Sequence, residues 1–326
     1  MENKLLDAEL VEINSLLNDK LLSYIKSGEF PKKNDQNFFL TVYNFVERNG
    51  NREEEASCVY NYYKIIINEF AVDFANKIKN RGNNKIIDLF MDLGNRMDIL
   101  IFFMKQSFSY LDFYYTKNSP NTKSLEVLAQ DIYKEILFNP FVEDLIMEIN
   151  KLIKDDRNGK IENRQKLKRI LGLMKTMDLS NPKIVKENNS YKWINSGGVG
   201  QDKTLIQDKW FSNFSEDTLL FSSNKAKKDI QRFSTPEYVL EELKYIKEEK
   251  ERQKEFINEI YYGKINEINF NEIIGKNMKE LVHMESGVKN MLENKKFEQL
   301  SNLYELFKNY EPSLNEIYTK KSKHNN

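Results

Sequence analysis

Turn residues are scarce in this chain: 326 residues include only 12 Gly and 6 Pro. Strand-turn-strand architectures need such residues often, so the shortage argues for long helices with few breaks. The one cysteine, Cys58, excludes an internal disulfide framework and fits a reducing compartment. Histidine is almost missing; His283 and His324 are the two, and no Cys/His cluster has zinc-like spacing. The longest apolar stretch, Ile99 to Met104, is followed by Lys105 and Gln106, whereas a bilayer span needs about 18 apolar residues. The opening MENKLLDAEL carries early acids and no unbroken apolar core, so it does not read as a signal peptide. Charge of one sign is lacking too, since 50 Lys+Arg balance 50 Asp+Glu. A nucleic-acid binder wants a basic surplus for phosphates, so balance argues against one. The expectation is a soluble protein of the cytoplasm or nucleus, without nucleic-acid or membrane partners.

Bulk for a core is present, with 40% hydrophobic residues, 21 Phe and 17 Tyr. Apolar residues recur at intervals near three and four, and strand-like alternation is hard to find. Val59, Tyr63, Ile66, Phe70, Phe74 and Ile78 mark one helix face. Phe141, Leu145, Ile149 and Leu152 mark another. Leu243, Ile246, Ile257 and Ile260 read as one face of a long charged helix, and Phe297, Leu300, Leu303, Phe307 and Leu314 as a last one. Thr235-Pro236-Glu237 reads as an N-cap, a first-turn proline and an early acid. Asn139-Pro140 plays a similar part before Phe141, and Asn158-Gly159 ends a helix. Residues 178–204 read as the longest irregular stretch, with a mobile glycine-rich segment from Ser196 to Gly200. The fold class predicted is all-α.

Catalytic constellations are missing. Neither a nucleophile elbow nor an HExxH pattern is present. The stretch Gly197-Gly198-Val199-Gly200-Gln201-Asp202-Lys203-Thr204 fails as a phosphate loop, because Asp202 stands where glycine is needed and would repel phosphate. Carboxylates sit among lysines at helical spacing, as in residues 247–252, and read as a solvated helix face. No enzyme, cofactor or metal site is expected.

Six segments, in order, resemble the N-terminal region of the cullin family. Leu40-Thr41-Val42-Tyr43-Asn44-Phe45 is similar to the second helix of the first cullin repeat, and Phe108 to Tyr115 to its fifth, with a Tyr-Leu-Asp signature at Tyr110-Leu111-Asp112. Leu137 to Phe141 and Leu152 to Ile161 resemble a second-repeat helix and its acidic-Arg-x-Gly turn. Trp210, Phe214, Thr218 and Phe221 keep the family's aromatic spacing. Glu237-Tyr238 and Glu248-Glu249 resemble the ends of the next helix, and Met284-Glu285-Ser286-Gly287-Val288 with Met291-Leu292 the third-repeat motif. The span is roughly Leu10 to Tyr318. The pattern departs from the family in the missing tryptophan of the first helix and in a loop over 194–204 that reads as inserted.

The resemblance implies an elongated stack of cullin repeats, five-helix bundles over 1–125 and 126–262, with an incomplete third over 263–326. It implies a non-catalytic scaffold of a cullin-RING-type ubiquitin ligase, closest to the type that binds a Skp-type adaptor of BTB/POZ fold and, through it, F-box-type substrate receptors. A RING subunit is implied only where a C-terminal domain follows, because the matched segments stop within the third repeat. Near residue 40, Phe38, Val42 and Phe45 define one apolar face and Phe39, Tyr43 and Val46 a second. A helix with two apolar faces must bury both, one of them against something outside its own bundle. Ile99 to Tyr115 is likewise apolar nearly all round. Phe38, Phe39, Val42, Tyr43, Tyr110, Phe113 and Tyr114 are therefore the expected adaptor-binding residues. The competing reading is another helical rod, a subunit of a vesicle-tethering complex.

Overall fold

The computed structural model describes residues 36–47, 52–82, 85–188, 190–197 and 205–308, with residues 11, 13, 15 and 17. The phosphate-loop segment from Gly198 onward, most of the first helix, Leu314 and His324 lie outside the described residues. The chain divides into two compact units, Met1–Gln207 and Asp208–Asn326.

The first unit contains α1 (Gln36–Glu47), α2 (Arg52–Lys79), α3 (Ile86–Ser107), α4 (Ser109–Asn118), α5 (Leu125–Ile132), α6 (Val142–Arg157) and α7 (Arg164–Thr176). α5 runs on into a π-helical turn, Tyr133–Phe138. The face read for α2 is its core face: Val59, Tyr63, Ile66, Phe70, Phe74 and Ile78 are all buried. Each large side chain so placed contributes about 1.5–3 kcal/mol. Buried Tyr63 keeps its hydroxyl satisfied by donating to the Leu125 carbonyl at 3.1 Å, and Tyr60 donates to Lys123 at 2.8 Å. These two bonds tie the start of α5 to α2. α6 ends at Asn158-Gly159 as its sequence indicates, with Gly159 at φ 87°. The adjoining acid of that turn, Asp156, is buried and accepts from Arg164 at 2.6 and 3.2 Å.

The stretch read as irregular after α7 contains an antiparallel hairpin, β1 (Pro182–Glu187) and β2 (Ser190–Asn195). Glu187 pairs with Ser190, so the connection is two residues long, and Asn188 takes φ 54° there. Asparagine tolerates that left-handed conformation, which such tight hairpins require. Ile184 stands opposite Trp193 and both are buried. The Trp193 indole donates to Asp98 Oδ1 at 2.8 Å, and Tyr191 packs on Phe102 at 4.8 Å between ring centroids. The all-round apolarity of α3 has this cause: the hairpin covers its second face.

Burial pushes the Asp98 carboxyl up to about 7, against the pull of the Trp193 hydrogen bond. The folded state thus holds this proton more tightly than the unfolded chain, whose carboxyl titrates near 3.8. Stability therefore falls as pH rises from about 4 to about 7 and levels off above that range. Asp98→Asn keeps an acceptor for the indole and removes the charge. We expect it to stabilise the first unit by about 2 kcal/mol at about pH 8 and to give little gain at about pH 4, as measured by thermal denaturation.

The second unit holds α8 (Leu205–Arg232) from Asp208 onward, α9 (Thr235–Phe256), α10 (Tyr262–Phe270), α11 (Met278–His283), α12 (Val288–Glu293) and α13 (Phe297–Lys308). α10 also runs into a π turn, Asn271–Gly275. Trp210, Phe214 and Thr218 lie buried along α8, with Phe221 half-buried. Tyr238 on α9 is buried and donates to the Ile273 carbonyl at 2.7 Å.

Several readings of this unit are corrected. The N-cap of α9 is Ser234, one residue before the expected Thr235, and it forms a capping box with Glu237. Thr235 instead turns inward and donates to the Leu281 carbonyl at 3.0 Å. α9 stops at Phe256 because Ile257 is extended (φ −111°, ψ 149°), and Ile260 beyond it is exposed rather than on a core face. The Lys247–Arg252 run is not fully solvated: Glu249 and Arg252 are buried and paired at 2.7 Å. On α13 the buried residues are Leu303 and Leu306, while Phe297 is exposed.

The Met-Glu-x-Gly stretch has a packing reason. Ser286 accepts from the Thr235 amide at 2.9 Å. A Cβ on Gly287 would strike the carbonyl oxygens of Val282, Leu281 and Met284, the latter two at 2.8 Å. Backbone oxygens cannot step aside as side chains do. Gly287→Ala is expected to destabilise the second unit by about 2–3 kcal/mol in urea unfolding.

Candidate protein-interaction surface

The expected surface depends on two short helices, α1 and α4. α1 has the two faces its sequence shows, except that Val46 of the second is buried with the first. Phe38, Val42 and Phe45 are core residues, Phe38 packing edge-on against Phe108 at 5.5 Å. Phe38 and Val42 are thereby withdrawn from the expected contact set, because their own bundle already buries them. The second face points out: Phe39 is half-buried and Tyr43 is 38% exposed, while Val46 at its end is buried.

The helix expected from Ile99 through Tyr115 is broken. Phe108 (φ −100°, ψ 12°) caps the end of α3 and the start of α4, its ring buried against Tyr63 at 5.5 Å. The Tyr-Leu-Asp signature on α4 then divides its labour among three neighbours. Leu111 is the anchor, the one buried side chain of α4. Asp112 accepts from the Leu125 amide at 2.9 Å, serving one of the orphan donors at the start of α5. Burial raises its carboxyl above the ordinary value. Tyr110 is left to face α1.

These placements bring Phe39, Tyr43, Tyr110 and Tyr114 into one row. Phe39 and Tyr43 stack at 6.4 Å, Tyr43 meets Tyr110 edge-on at 4.9 Å, and Tyr110 stacks on Tyr114 at 6.0 Å. Aromatic pairs of this geometry each contribute about 0.5–1.5 kcal/mol beyond area burial. Phe113 extends from the same helix, 73% exposed, with Lys117 over its ring at 5.3 Å. Leu40, one turn before Tyr43 on α1, is 50% exposed. Large apolar side chains left exposed in this number are more than a scattered surface residue or two.

A polar frame holds the row, and the sequence reading missed it. Tyr110 donates to the Glu47 carboxylate, Glu47 pairs with Arg52, and the Arg52 guanidinium lies 5.7 Å over the Tyr114 ring. Partial burial, with the Glu47 hydrogen bond and charge, pushes the Tyr110 phenol up to about 12, so it stays a donor throughout the physiological range. The hydrogen bond and charge of Glu47 likewise raise Arg52. One signal was available: Glu47 follows Tyr43 by four residues and so shares its face. Arg52, at the start of α2, had none.

Among the described residues no group of His, Cys, Asp and Glu is placed to hold a metal ion. No helix among them is long and apolar enough to cross a membrane. The surface itself offers aromatic area, with its Tyr110 hydroxyl and Arg52 guanidinium both engaged by Glu47. Compared with known families, residues 15–324 match the cullin alpha solenoid domain, a scaffold fold. A comparison with curated proteins finds no match.

Proposed function

Because the chain belongs to the cullin family, whose alpha solenoid domain covers residues 15–324, we propose that it is a non-catalytic scaffold of a cullin-RING-type ubiquitin ligase. In this reading the aromatic row on α1 and α4 captures an adaptor of BTB/POZ fold, of the Skp type, and through it F-box-type substrate receptors. The observation that carries it is the alignment of Phe39, Tyr43, Tyr110 and Tyr114 at ring distances of 4.9–6.4 Å on a face that leaves Tyr43 and Phe113 open. Rigid aromatics make good anchors because they desolvate much area at little rotamer cost. The scaffold acts by holding a bound receptor at a fixed place relative to the transfer machinery, so its contribution is positioning.

The repeat limits 1–125, 126–262 and 263–326 belong to the same proposal. Their support is a recurrence of local structure. α5 begins at Leu125 and α10 at Tyr262, next to the two proposed limits, and each passes into a π turn after eight or nine residues. One supersecondary unit repeated along a chain gives this kind of echo.

Co-elution of the 326-residue chain with a purified Skp-type adaptor on gel filtration tests the function. A stable complex is expected with the Skp-type adaptor, and a weaker one or none with a BTB protein that carries its own receptor domain. Flotation with phospholipid vesicles, without adaptor binding, would shift the reading to a membrane-tethering rod.

A further inference from the structure

The first unit also holds a groove that shares no residue with the aromatic row. α3, α7 and the hairpin enclose this groove of about 550 Å³, within the range of ligand clefts. Phe90, Leu173 and Trp193 make it apolar, Asp98 lines it as well, and Gly94 and Gly172 border it from the two helices. The glycines differ in a telling way. A Cβ on Gly94 would come within 3.0 Å of the Tyr133 hydroxyl, so packing explains that residue. A Cβ on Gly172 would meet nothing within 4 Å. Glycine inside a helix weakens it by about 1 kcal/mol relative to alanine, and no neighbour requires it here. Gly172 lines the groove, and open space stands where its side chain would be.

Two of the groove's three walls are mostly basic, while α3 brings Asp88, Asp92 and Asp98, and Asp88 pairs with Lys166 of α7 at 2.6 Å. α7 carries Arg164, Lys166, Lys168, Arg169 and Lys175 without one acidic residue, and the hairpin sets Lys183, Lys186 and Lys192 against Glu187 alone. The chain as a whole is balanced, with 50 charges of each sign, so this is a local concentration. Arg169, Lys175 and Lys192 line the groove itself, Lys192 standing 3.6 Å from Glu187. Among the described residues Lys175 has no acidic partner, and Arg169 is held only by Asn95 at 3.3 Å. Asp98 faces the Trp193 indole, and its raised pKa of about 7 reduces its charge near neutral pH.

The hairpin adds a backbone docking edge. With Glu187 opposite Ser190 at the turn, bonded pairs alternate outward through Val185–Lys192 and Lys183–Ile194, so Trp193 on β2 turns its N–H and C=O away from β1. The matching groups of Ile184 on β1 face outward too, and its amide is taken by the Glu126 carboxylate at 2.8 Å. β2 has no such strand partner on its other side among the described residues. An extended segment can add there by its main chain, with alternate side chains reading pockets.

We propose that this groove binds an extended acidic peptide segment of another protein, seating one bulky apolar side chain between Gly172 and Trp193 while its carboxylates meet Arg169, Lys175 and Lys192. A single apolar pocket beside three cations suits one side-chain anchor with flanking carboxylates, whereas the phosphates of a nucleic acid would have to pass Asp98.

The experiment selects a random dodecapeptide phage library on the full chain, with counter-selection on Gly172→Leu. Gly172→Leu fills the groove with a side chain the helix accepts, so its circular dichroism and melting temperature should match or exceed those of the parent. Enriched peptides should combine Asp or Glu with one bulky apolar residue. Their affinity, read by fluorescence anisotropy, should fall about tenfold to a hundredfold in Gly172→Leu, the worth of one buried anchor. Lys175→Glu should weaken them as well. Enriched peptides without acids, peptides that bind Gly172→Leu equally, or no peptide sensitive to that change would overturn the proposal. An oligodeoxythymidine whose binding is lost in Gly172→Leu would overturn it too, assigning the groove to nucleic acid.

Discussion

Replacing Tyr43 and Tyr110 together by glutamate is expected to abolish capture of a Skp-type adaptor while leaving the helix content unchanged. The two rings meet at 4.9 Å and form the middle of the aromatic row, with Phe39 beyond one and Tyr114 beyond the other. Central tyrosines of an interface each cost about 2 kcal/mol or more when lost, so the pair is worth roughly a thousandfold in affinity. The added charges would also have to be desolvated against the adaptor. In Tyr110→Glu the new carboxylate would face that of Glu47, which now accepts from the phenol. Both positions lie at the surface, but the variant gives up three ring pairs and the Glu47 bond, so its circular dichroism and melting temperature are measured alongside capture. Met147→Glu, on an exposed position of α6, serves as the matched control and should bind normally. A folded double variant that still captures the adaptor would remove the aromatic row from the proposed function, whatever the family of the chain.

The second large effect is on stability. Lys225 on α8 places its ammonium 3.2 Å from Glu242, bonds Asp229, and lies 5.3 Å over the Tyr245 ring. Glu242 has no exposed surface, and its Oε2 has no hydrogen-bond partner. Lys225→Ala leaves two carboxylates facing each other in a buried site. Breaking a buried pair from one side costs about 3–5 kcal/mol, because the remaining charge stays desolvated. Burial already pushes Glu242 up to about 7. Without the lysine it rises further, so protonation limits the loss at low pH. The expected loss is about 3 kcal/mol at about pH 8 and clearly less at about pH 6, read from urea unfolding. Lys225→Met combined with Glu242→Gln should recover most of it.

Periodicity located α2 residue by residue, because a long amphipathic helix repeats its signal and the burial of Val59 through Ile78 follows from spacing alone. The same rule misled at Ile257 and Ile260, where the spacing continues but the helix has ended at an extended residue. Composition argued against strands, yet the hairpin formed because Asn188 accepts the left-handed turn and Trp193 has Asp98 to bond. Residues 247–252 show how charge can mislead. Glu249 and Arg252 are buried because they neutralise each other, which sequence shows only as two more charges. The surface was half legible. Two faces were visible on α1, but Phe38 and Phe39 are chemically alike, and only packing decides that one goes inward. Arg52 was invisible because its place over Tyr114 depends on how three helices meet.

The two tryptophans fall one to each compact unit, Trp193 in the first and Trp210 in the second, and both indoles are shielded from water. Each is therefore a built-in optical probe of its own half. With Trp210→Phe the emission follows the melting of Met1–Gln207, and with Trp193→Phe that of Asp208–Asn326. Coincident red shifts in the two variants would mean that the halves unfold as one cooperative block, and separated midpoints that each melts by itself.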